Sequence, residues 1–420
     1  MTVSQSDIDR REFLRRGGAA AAAGIAVLNG MGGSAPRSAE EPEEREPVVI
    51  PPDFGRDAYL ERMSGARILM REIQGHGLFL TPGTDMRYMT GLTVGRSERL
   101  IALILPLEGD PVLICPAFEK DLIAASPAGI EDVLVWDEDE DPFDLVVKAF
   151  KKLGLQGKRK IAIGGTVWYD NLARLTKVLP ELEITSAGRV VGLLRERKSE
   201  SEVKVMRAAV RITEDAIASA QRQVREGIRE EEVAGLIHTH FKSHGLRGGG
   251  LVQFGPRSAI PHNPTSDRAL AANEMILIDF GVRIHGYWSD ITRCAVFGKA
   301  TDRMKVVHAT LRRIQDQAIR TAQPGLSCAG LDHMSRSIMK GEGFRKFIRH
   351  RLGHGVGLDG HEPPYLSLNY PQALSIGNVI TIEPGIYTPD DYGIRIEDMA
   401  EITQSGPSLM STPPDKLLEI

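Results

Sequence analysis

Met275-Ile-Leu-Ile-Asp-Phe-Gly-Val-Arg-Ile-His-Gly-Tyr-Trp-Ser-Asp-Ile-Thr-Arg-Cys-Ala-Val-Phe297 is the stretch on which the fold turns. Two apolar runs flank His285-Gly286, the pattern of an antiparallel hairpin with a tight turn. Pairing Ile284 with Tyr287 sets Asp279 opposite Thr292. Asp290 lies two residues from Thr292, so it shares that face as a diagonal neighbour of Asp279, roughly 5–8 Å away. Two acids that close on a largely buried sheet cannot both stay ionised unless something neutralises them. A surface hairpin carrying its charges on a wet face remains the alternative at this point.

A second pair repeats the logic. Asn378-Val-Ile-Thr-Ile-Glu-Pro-Gly-Ile-Tyr387 and Gly393-Ile-Arg-Ile-Glu-Asp-Met-Ala-Glu-Ile402 surround a loop from Thr388 to Tyr392. Glu383 and Glu397 are equidistant from the middle of that loop, so they should meet across the ladder. Arg395 shares the face of Glu397 and is placed to brace the carboxylates. His354 stands between glycines in Gly353-His-Gly-Val-Gly357, which let the backbone approach closely and leave the imidazole unobstructed. Four convergent carboxylates and one imidazole form a hard, oxygen-rich set that favours Mn²⁺, Co²⁺ or Fe²⁺ over a thiolate-type zinc site. Shared carboxylates suit two ions about 3.5–4 Å apart, with a bridging hydroxide as nucleophile.

Composition agrees by exclusion. The 420 residues carry 52 Lys and Arg against 56 Asp and Glu, a net charge of −4. That balance, without a long basic tract, argues against nucleic acid as a partner. Cys115, Cys294 and Cys328 are too few and too scattered for a disulfide scaffold or a thiolate metal site. No stretch of about 18 or more strongly apolar residues is present, which excludes a polytopic membrane protein.

Working outward, Ser199-Glu-Ser-Glu202 is a capping box opening a long helix, with Val203, Met206, Val210, Thr213, Ile217, Ala220 and Val224 as its buried stripe. It marks the border of a catalytic domain assigned to residues 191–420. Before it, residues 56–190 read as a separate α/β domain. Tyr59 to Gly75 is helix-like, and Gly77–Thr81, Leu100–Leu105, Pro111–Cys115 and Lys160–Ile163 are short apolar runs typical of buried strands. The acidic cluster Asp137 to Asp141 lacks the glycine and glutamate spacing of a calcium loop and reads as a solvated turn.

The first 55 residues are different again. Asp9-Arg-Arg-Glu-Phe-Leu-Arg15 precedes a soft apolar run from Gly17 to Gly33, and this resembles a twin-arginine export signal over residues 1–35. Residues 36–55, rich in Pro and Glu, read as a flexible linker. The resemblance implies the export machinery as a partner, a periplasmic or secreted location, and a cofactor loaded before export.

The hairpins and the His354 segment resemble those of the pita-bread metallopeptidases, the family of methionine aminopeptidase, Xaa-Pro aminopeptidase, prolidase and creatinase. That family holds two metal ions with Asp, Asp, His, Glu and Glu in chain order, which fall here on Asp279, Asp290, His354, Glu383 and Glu397. Gly83-Thr-Asp-Met-Arg-Tyr-Met-Thr-Gly91 resembles the first domain of the prolidase and creatinase branch, a domain that methionine aminopeptidases lack. The fold implied is an α/β creatinase-like N-terminal domain followed by an α+β pita-bread catalytic domain. The activity implied is dinuclear-metal-dependent hydrolysis of the bond before proline, in dipeptides or longer peptides, with Mn²⁺ first and Co²⁺, Fe²⁺ or Zn²⁺ as alternatives. By resemblance His262 contacts the scissile amide or the tetrahedral species, and His361 steadies the carbonyl oxygen or the leaving side. Glu383 is the implied general base, Arg395 a supporting group and His350 a further cleft residue. A homodimer or homotetramer is implied as well. A non-peptide amidohydrolase or lyase on the same metal-containing scaffold, and a non-catalytic binding module, stay open. The basic group Arg345, Lys346, Arg349 and Arg351 reads as a solvated edge or as a receiver of a substrate carboxylate.

Overall fold

The computed structural model describes residues 46–420. The twin-arginine segment and most of the linker therefore lie outside the described residues.

The first domain is a six-stranded mixed sheet. Its order in space is Val133–Trp136, Val112–Pro116, Ala102–Pro106, Gly77–Leu80, Lys160–Ile163 and Glu183–Ser186. Ala102–Pro106 runs antiparallel to both neighbours, and the remaining pairs are parallel. The central strands are buried on both faces because their alternate residues feed two separate cores. Leu78, Leu80, Leu103, Leu105 and Leu113 pack with Tyr59, Met63, Ala66 and Met70 of the helix Arg56–Glu72. Phe79, Ile104, Val112 and Ile114 pack with Phe143, Val146, Ala149 and Phe150 of the helix Pro142–Lys152 on the other side. Each fully buried Phe or Leu contributes roughly 1.5–3 kcal/mol.

Ser199 does cap the helix Glu200–Gln221. Its hydroxyl accepts from the Glu202 amide at 3.3 Å, and the Glu202 carboxylate accepts from the Ser199 amide at 2.6 Å. The expected stripe is buried except at its end, since Val224 falls beyond the last turn. Glu202 has a second task. Its other oxygen accepts from Arg62 of the first domain at 3.1 Å and from the Tyr287 hydroxyl of the hairpin. One capping residue thus joins the two domains.

Packing corrects two boundaries. Val190, Val191 and Leu194 belong to the first domain's core, so the border seen in packing follows the short helix Val191–Glu196 rather than preceding it. The described end of the expected flexible linker, residues 46–55, has no helix or strand yet is not free. Val48, Ile50 and Phe54 pack against the catalytic core, and the Pro51 carbonyl lies 2.7 Å from His285 Nε2. The three apolar side chains supply the burial that a Pro- and Glu-rich composition conceals.

The catalytic domain wraps two sheets with helices outside. One sheet runs Leu418–Glu419, Ile291–Val296, Met275–Ile284, Arg247–Phe254, with Tyr287–Trp288 beside Met275–Ile284. The other runs Glu362–Leu366, Gly353–Gly355, Val379–Ile382, Asp398–Thr403, Gly406–Leu409. A two-stranded ladder, Gly385–Thr388 with Tyr392–Arg395, completes it. Helices Glu200–Gln221 and Glu230–Ser243 cover the first sheet. Asp302–Thr321 and Cys328–Gly341 join the core of the second sheet. The hairpin register is the one the sequence predicts: Ile284 pairs with Tyr287 and Asp279 with Thr292. Its turn residues His285 and Gly286 have φ of 50° and 93°, the left-handed pair a two-residue hairpin turn requires. All three cysteines are buried and unpaired.

Candidate active site

The five expected donors do converge, and the backbone shows how. The ladder of Val379 with Glu401 and that of Gly385 with Arg395 share one register, so Glu383 and Glu397 stay opposite each other. They do not, however, meet within a ladder. Both lie at the kink where one ladder gives way to the next, next to Pro384, which has no N–H to offer. Their amides go elsewhere: Glu383 donates to the Leu352 carbonyl at 2.8 Å and Glu397 to the Thr292 carbonyl at 3.3 Å. Leu352 is two residues before His354 and Thr292 two after Asp290. The kink therefore pins each glutamate to a segment carrying another donor. Gly353 and Gly355 are needed here, because a Cβ on either would stand 2.1 Å from the Thr381 carbonyl or 2.3 Å from that of Pro363.

Three overlapping groups have donor atoms within 4.8 Å of one another: Asp279, Asp290 and Glu397; His354, Glu383 and Glu397; and Asp290, His354 and His361. Burial sets their chemistry. It pushes Asp290 well above the carboxylate range, with Glu397, Asp279 and Glu383 adding to the effect. Glu383 is raised in the same way, by burial and then by Glu397. Glu397 is raised to about 8 by burial and Asp279. The guanidinium of Arg395 is the cation in direct contact, donating to Asp279, to Thr292 Oγ1 at 3.1 Å and to the Tyr387 hydroxyl at 2.8 Å. Burial opposes its charge, but Tyr387 and Asp279 outweigh that and hold it firmly protonated.

One arginine cannot neutralise four ionised acids, so the group must hold either protons or a further cation, and His354 sharpens the point. Its Nδ1 lies 3.0 Å from the Gly355 carbonyl, so the ring proton sits there. Burial and His361 lower its proton affinity to about 3, so the ring is neutral. The bare Nε2 then faces Glu383 at 3.4 Å and Asp290 at 3.8 Å. A lone pair aimed at carboxylate oxygens is repulsive unless a proton or a metal cation lies between them. Asp279, Asp290, His354, Glu383 and Glu397 thus fit divalent metal.

The other expected residues are placed around this cluster. His350 is in the cleft wall, its Nδ1 2.7 Å from the Arg351 carbonyl and its Nε2 2.8 Å from the Tyr387 hydroxyl. Burial and Arg395 lower it to about 3, so the neutral ring carries its proton on Nδ1 and accepts from Tyr387. His361 is exposed, stacked with ring centres 3.9 Å from His354, and lines a cavity of about 120 Å³ with Arg195, Glu196 and Tyr365. His262 is exposed on the turn after Gly255–Ala259, close enough for its charge to act on both His350 and His361.

Sequence reasoning missed several supports. Thr292 Oγ1 donates to Glu397 at 2.6 Å while accepting from Arg395. Its place opposite Asp279 was the available clue. Buried Glu230 accepts from the amides of Phe254 and Ser266, both at 2.8 Å, and from Arg257 at 3.1 Å, clamping the loop that bears His262. Buried Gln253 donates to the carbonyls of Ile260 and Asn263 on either side of that histidine. Asp332 accepts from the amides of Leu352 and Leu368, both at 3.1 Å, and steadies the approach to His354.

A buried carboxylate and imidazole centre in a cleft is a candidate divalent-metal site of the kind that metal-dependent hydrolases use. Residues 204–404 match the metallopeptidase family M24, and residues 62–197 match the creatinase/prolidase N-terminal domain. An uncharacterized peptidase of Staphylococcus aureus is 33% identical over 339 residues, 79% of this chain and 93% of the relative. A dipeptidase from Mycobacterium ulcerans superposes with a TM-score of 0.82 at 30% identity, covering 88% of this chain and all (100%) of that one. A prolidase from Thermococcus sibiricus does so with a TM-score of 0.80 at 27% identity, covering 86% of this chain and 99% of that one. The chain belongs to metallopeptidase family M24, with the creatinase-type first domain and pita-bread catalytic domain.

Proposed function

We propose that this chain hydrolyses the peptide bond preceding proline, as an Xaa-Pro dipeptidase or aminopeptidase, using two divalent ions, Mn²⁺ foremost. The convergence of Asp279, Asp290, His354, Glu383 and Glu397 carries the reading. The prolidase among similar structures supports the proline preference, and the dipeptidase supports a short peptide as substrate. Divalent ions held by those five residues would supply Lewis-acid polarisation of the peptide carbonyl and an activated water. Glu383, whose proton affinity is raised by burial, takes up a proton and returns it to the departing nitrogen. His361 receives Arg351 at its Nδ1, 3.5 Å away, which leaves Nε2 to donate to the substrate oxygen. His262 approaches the same region from the facing loop. Arg395 orients Asp279 and, through Thr292, Glu397. We further infer export by the twin-arginine route to the periplasm or medium, from residues 1–35, and assembly as a dimer or tetramer.

The test is a substrate panel with Mn²⁺: Xaa-Pro dipeptides, Xaa-Pro-Yaa peptides, and matched peptides without proline. Cleavage confined to the proline peptides is the expected result. Cleavage indifferent to proline would remove the specificity, and silence on every peptide would favour a non-peptide amide substrate.

A further inference from the structure

Two acids flank Gly360-His361 in the chain, and neither belongs to the metal cluster. Asp359 and Glu362 turn toward the first domain instead and converge on one atom, Nη2 of Arg195, at 2.5 and 2.6 Å. The other arm of that guanidinium, Nη1, donates to Asp85 of the helix Thr84–Thr90 at 2.8 Å. Thr84, at the start of the same helix, donates its hydroxyl to the second oxygen of Asp359 at 2.6 Å. Lys198, where the domains join, donates to the second oxygen of Glu362 at 2.7 Å. The loop between is also closed on itself. The Gly357 amide donates to the Asp359 carbonyl at 3.1 Å and the Asp359 amide to Glu362 at 3.3 Å. Gly357 leaves no slack, since a Cβ there would stand 2.3 Å from Glu362 Oε1.

Burial separates this network from ordinary surface pairing. The side chains of Arg195, Lys198 and Glu362 are 12%, 1% and 4% exposed, so their charges act with little screening. The planar guanidinium uses one end on the first domain and the other on the loop, which fixes the distance between them. His361 has no comparable anchor of its own. Its ring is exposed, stacks on His354 with centres 3.9 Å apart, and meets Arg351 at a long 3.5 Å. Where that ring stands is therefore set by the backbone between Asp359 and Glu362.

We propose that Arg195 is a positioning residue for catalysis: by clamping Asp359 and Glu362 to Asp85 it holds His361 at the metal centre, so the first domain completes an active site that the second carries. This deepens the proposed peptidase reading and rests on it through the role given to His361. The tie of Arg62 and Tyr287 to Glu202 also joins the domains, but it reaches the turn of the Asp279 hairpin rather than the His361 loop, and so supplies a control.

The experiment uses the full chain loaded with Mn²⁺. It reads kcat and KM on Ala-Pro and Ala-Leu, and amide hydrogen exchange of residues 357–362 by mass spectrometry. Arg195→Met should lower kcat about 10–100-fold, the usual cost of displacing a catalytic group by about an ångström, while KM and bound Mn²⁺ stay near wild type. Exchange should quicken in 357–362 and stay unchanged around Glu383 and Glu397. In a His361→Ala background the same substitution should cost less than about twofold, because a residue acting through His361 has nothing left to position. Arg195→Lys keeps the charge without the fork and should recover part of kcat. Asp359→Ala cuts the clamp from its half-exposed side and should repeat the pattern even where Arg195→Met fails to fold. Tyr287→Phe weakens the other tie and should leave kcat and loop exchange as in the wild type. Unchanged loop exchange, or a kcat loss that multiplies with that of His361→Ala, would overturn the proposal and leave the peptidase reading standing. Wild-type kcat in His361→Ala would remove the role given to His361, and the proposal with it. If Ala-Leu is cleaved and Ala-Pro is not, the proline reading fails and Arg195 is judged by the same comparison on Ala-Leu. Silence on both overturns the peptidase reading; unchanged loop exchange then overturns the clamp as well, and faster exchange upholds it.

Discussion

Stripping metal from this protein should make its stability depend on pH in a definite direction. Glu397 has its proton affinity raised from the usual 4.5 to about 8 by burial and Asp279. The folded state then keeps a proton that the unfolded chain has released. That contribution is fully present below 4.5 and is lost as pH rises through 8. The buried histidines oppose it at lower pH. His350 and His354 are lowered from 6.5 to about 3, so their effect favours stability as pH rises and is complete by 6.5. Above 6.5 the carboxylates act alone. At about 1.4 kcal/mol per pH unit per proton, Glu397 costs about 2 kcal/mol between pH 6.5 and 8. Asp290 and Glu383 add in the same direction. For a catalytic domain of this size the melting transition should fall on the order of 4–8 °C. Divalent metal displaces those protons, so the stabilisation it confers should grow over the same interval. Differential scanning calorimetry of chelated and Mn²⁺-loaded protein at several pH values reads both effects. Glu397→Gln, which cannot titrate, should flatten the metal-free slope. A metal-free melting temperature that is level or rising from pH 6.5 to 8 would refute the reasoning.

Two further substitutions test how the donors are held. Thr292→Val removes the hydroxyl between Glu397 and Arg395; it should cost about 1–3 kcal/mol by calorimetry and weaken metal binding about 10–100-fold by equilibrium dialysis. Glu230→Ala strands Arg257 and frees the His262 loop; it should cost about 3–5 kcal/mol and lower kcat while metal affinity is retained. Loss of metal affinity in that variant would place Glu230 in a different role.

Most of the centre is readable from pattern because each donor sits in a short, strongly constrained segment. Asp279 interrupts an apolar strand, and the His285-Gly286 turn fixes which residues face it. The symmetry of the second hairpin about residue 390 places Glu383 opposite Glu397 whether or not a ladder joins them. The ladder itself fails there because Pro384 has no amide to offer and both glutamate amides donate elsewhere, to the carbonyls of Leu352 and Thr292. Supports that act across long chain separations leave no such trace. Glu230 reads as an ordinary first-turn helix acid, and its tie to Ser266 exists only after folding. Tyr387 reads as an apolar strand residue, although its hydroxyl links Arg395 to His350. The packing of Val48, Ile50 and Phe54 escaped because average composition hides three apolar side chains among prolines and acids.

The central claim is that Asp279, Asp290, His354, Glu383 and Glu397 form the metal centre responsible for hydrolysis. It is tested most directly by titrating Mn²⁺ into chelated protein while following bound metal and hydrolysis of an Xaa-Pro dipeptide together, in wild type, Asp290→Asn and His354→Ala. Activity should return in proportion to bound metal in the wild type and stay absent in both variants, with their fold intact by circular dichroism. Full activity in the chelated protein, or in either variant, would contradict it.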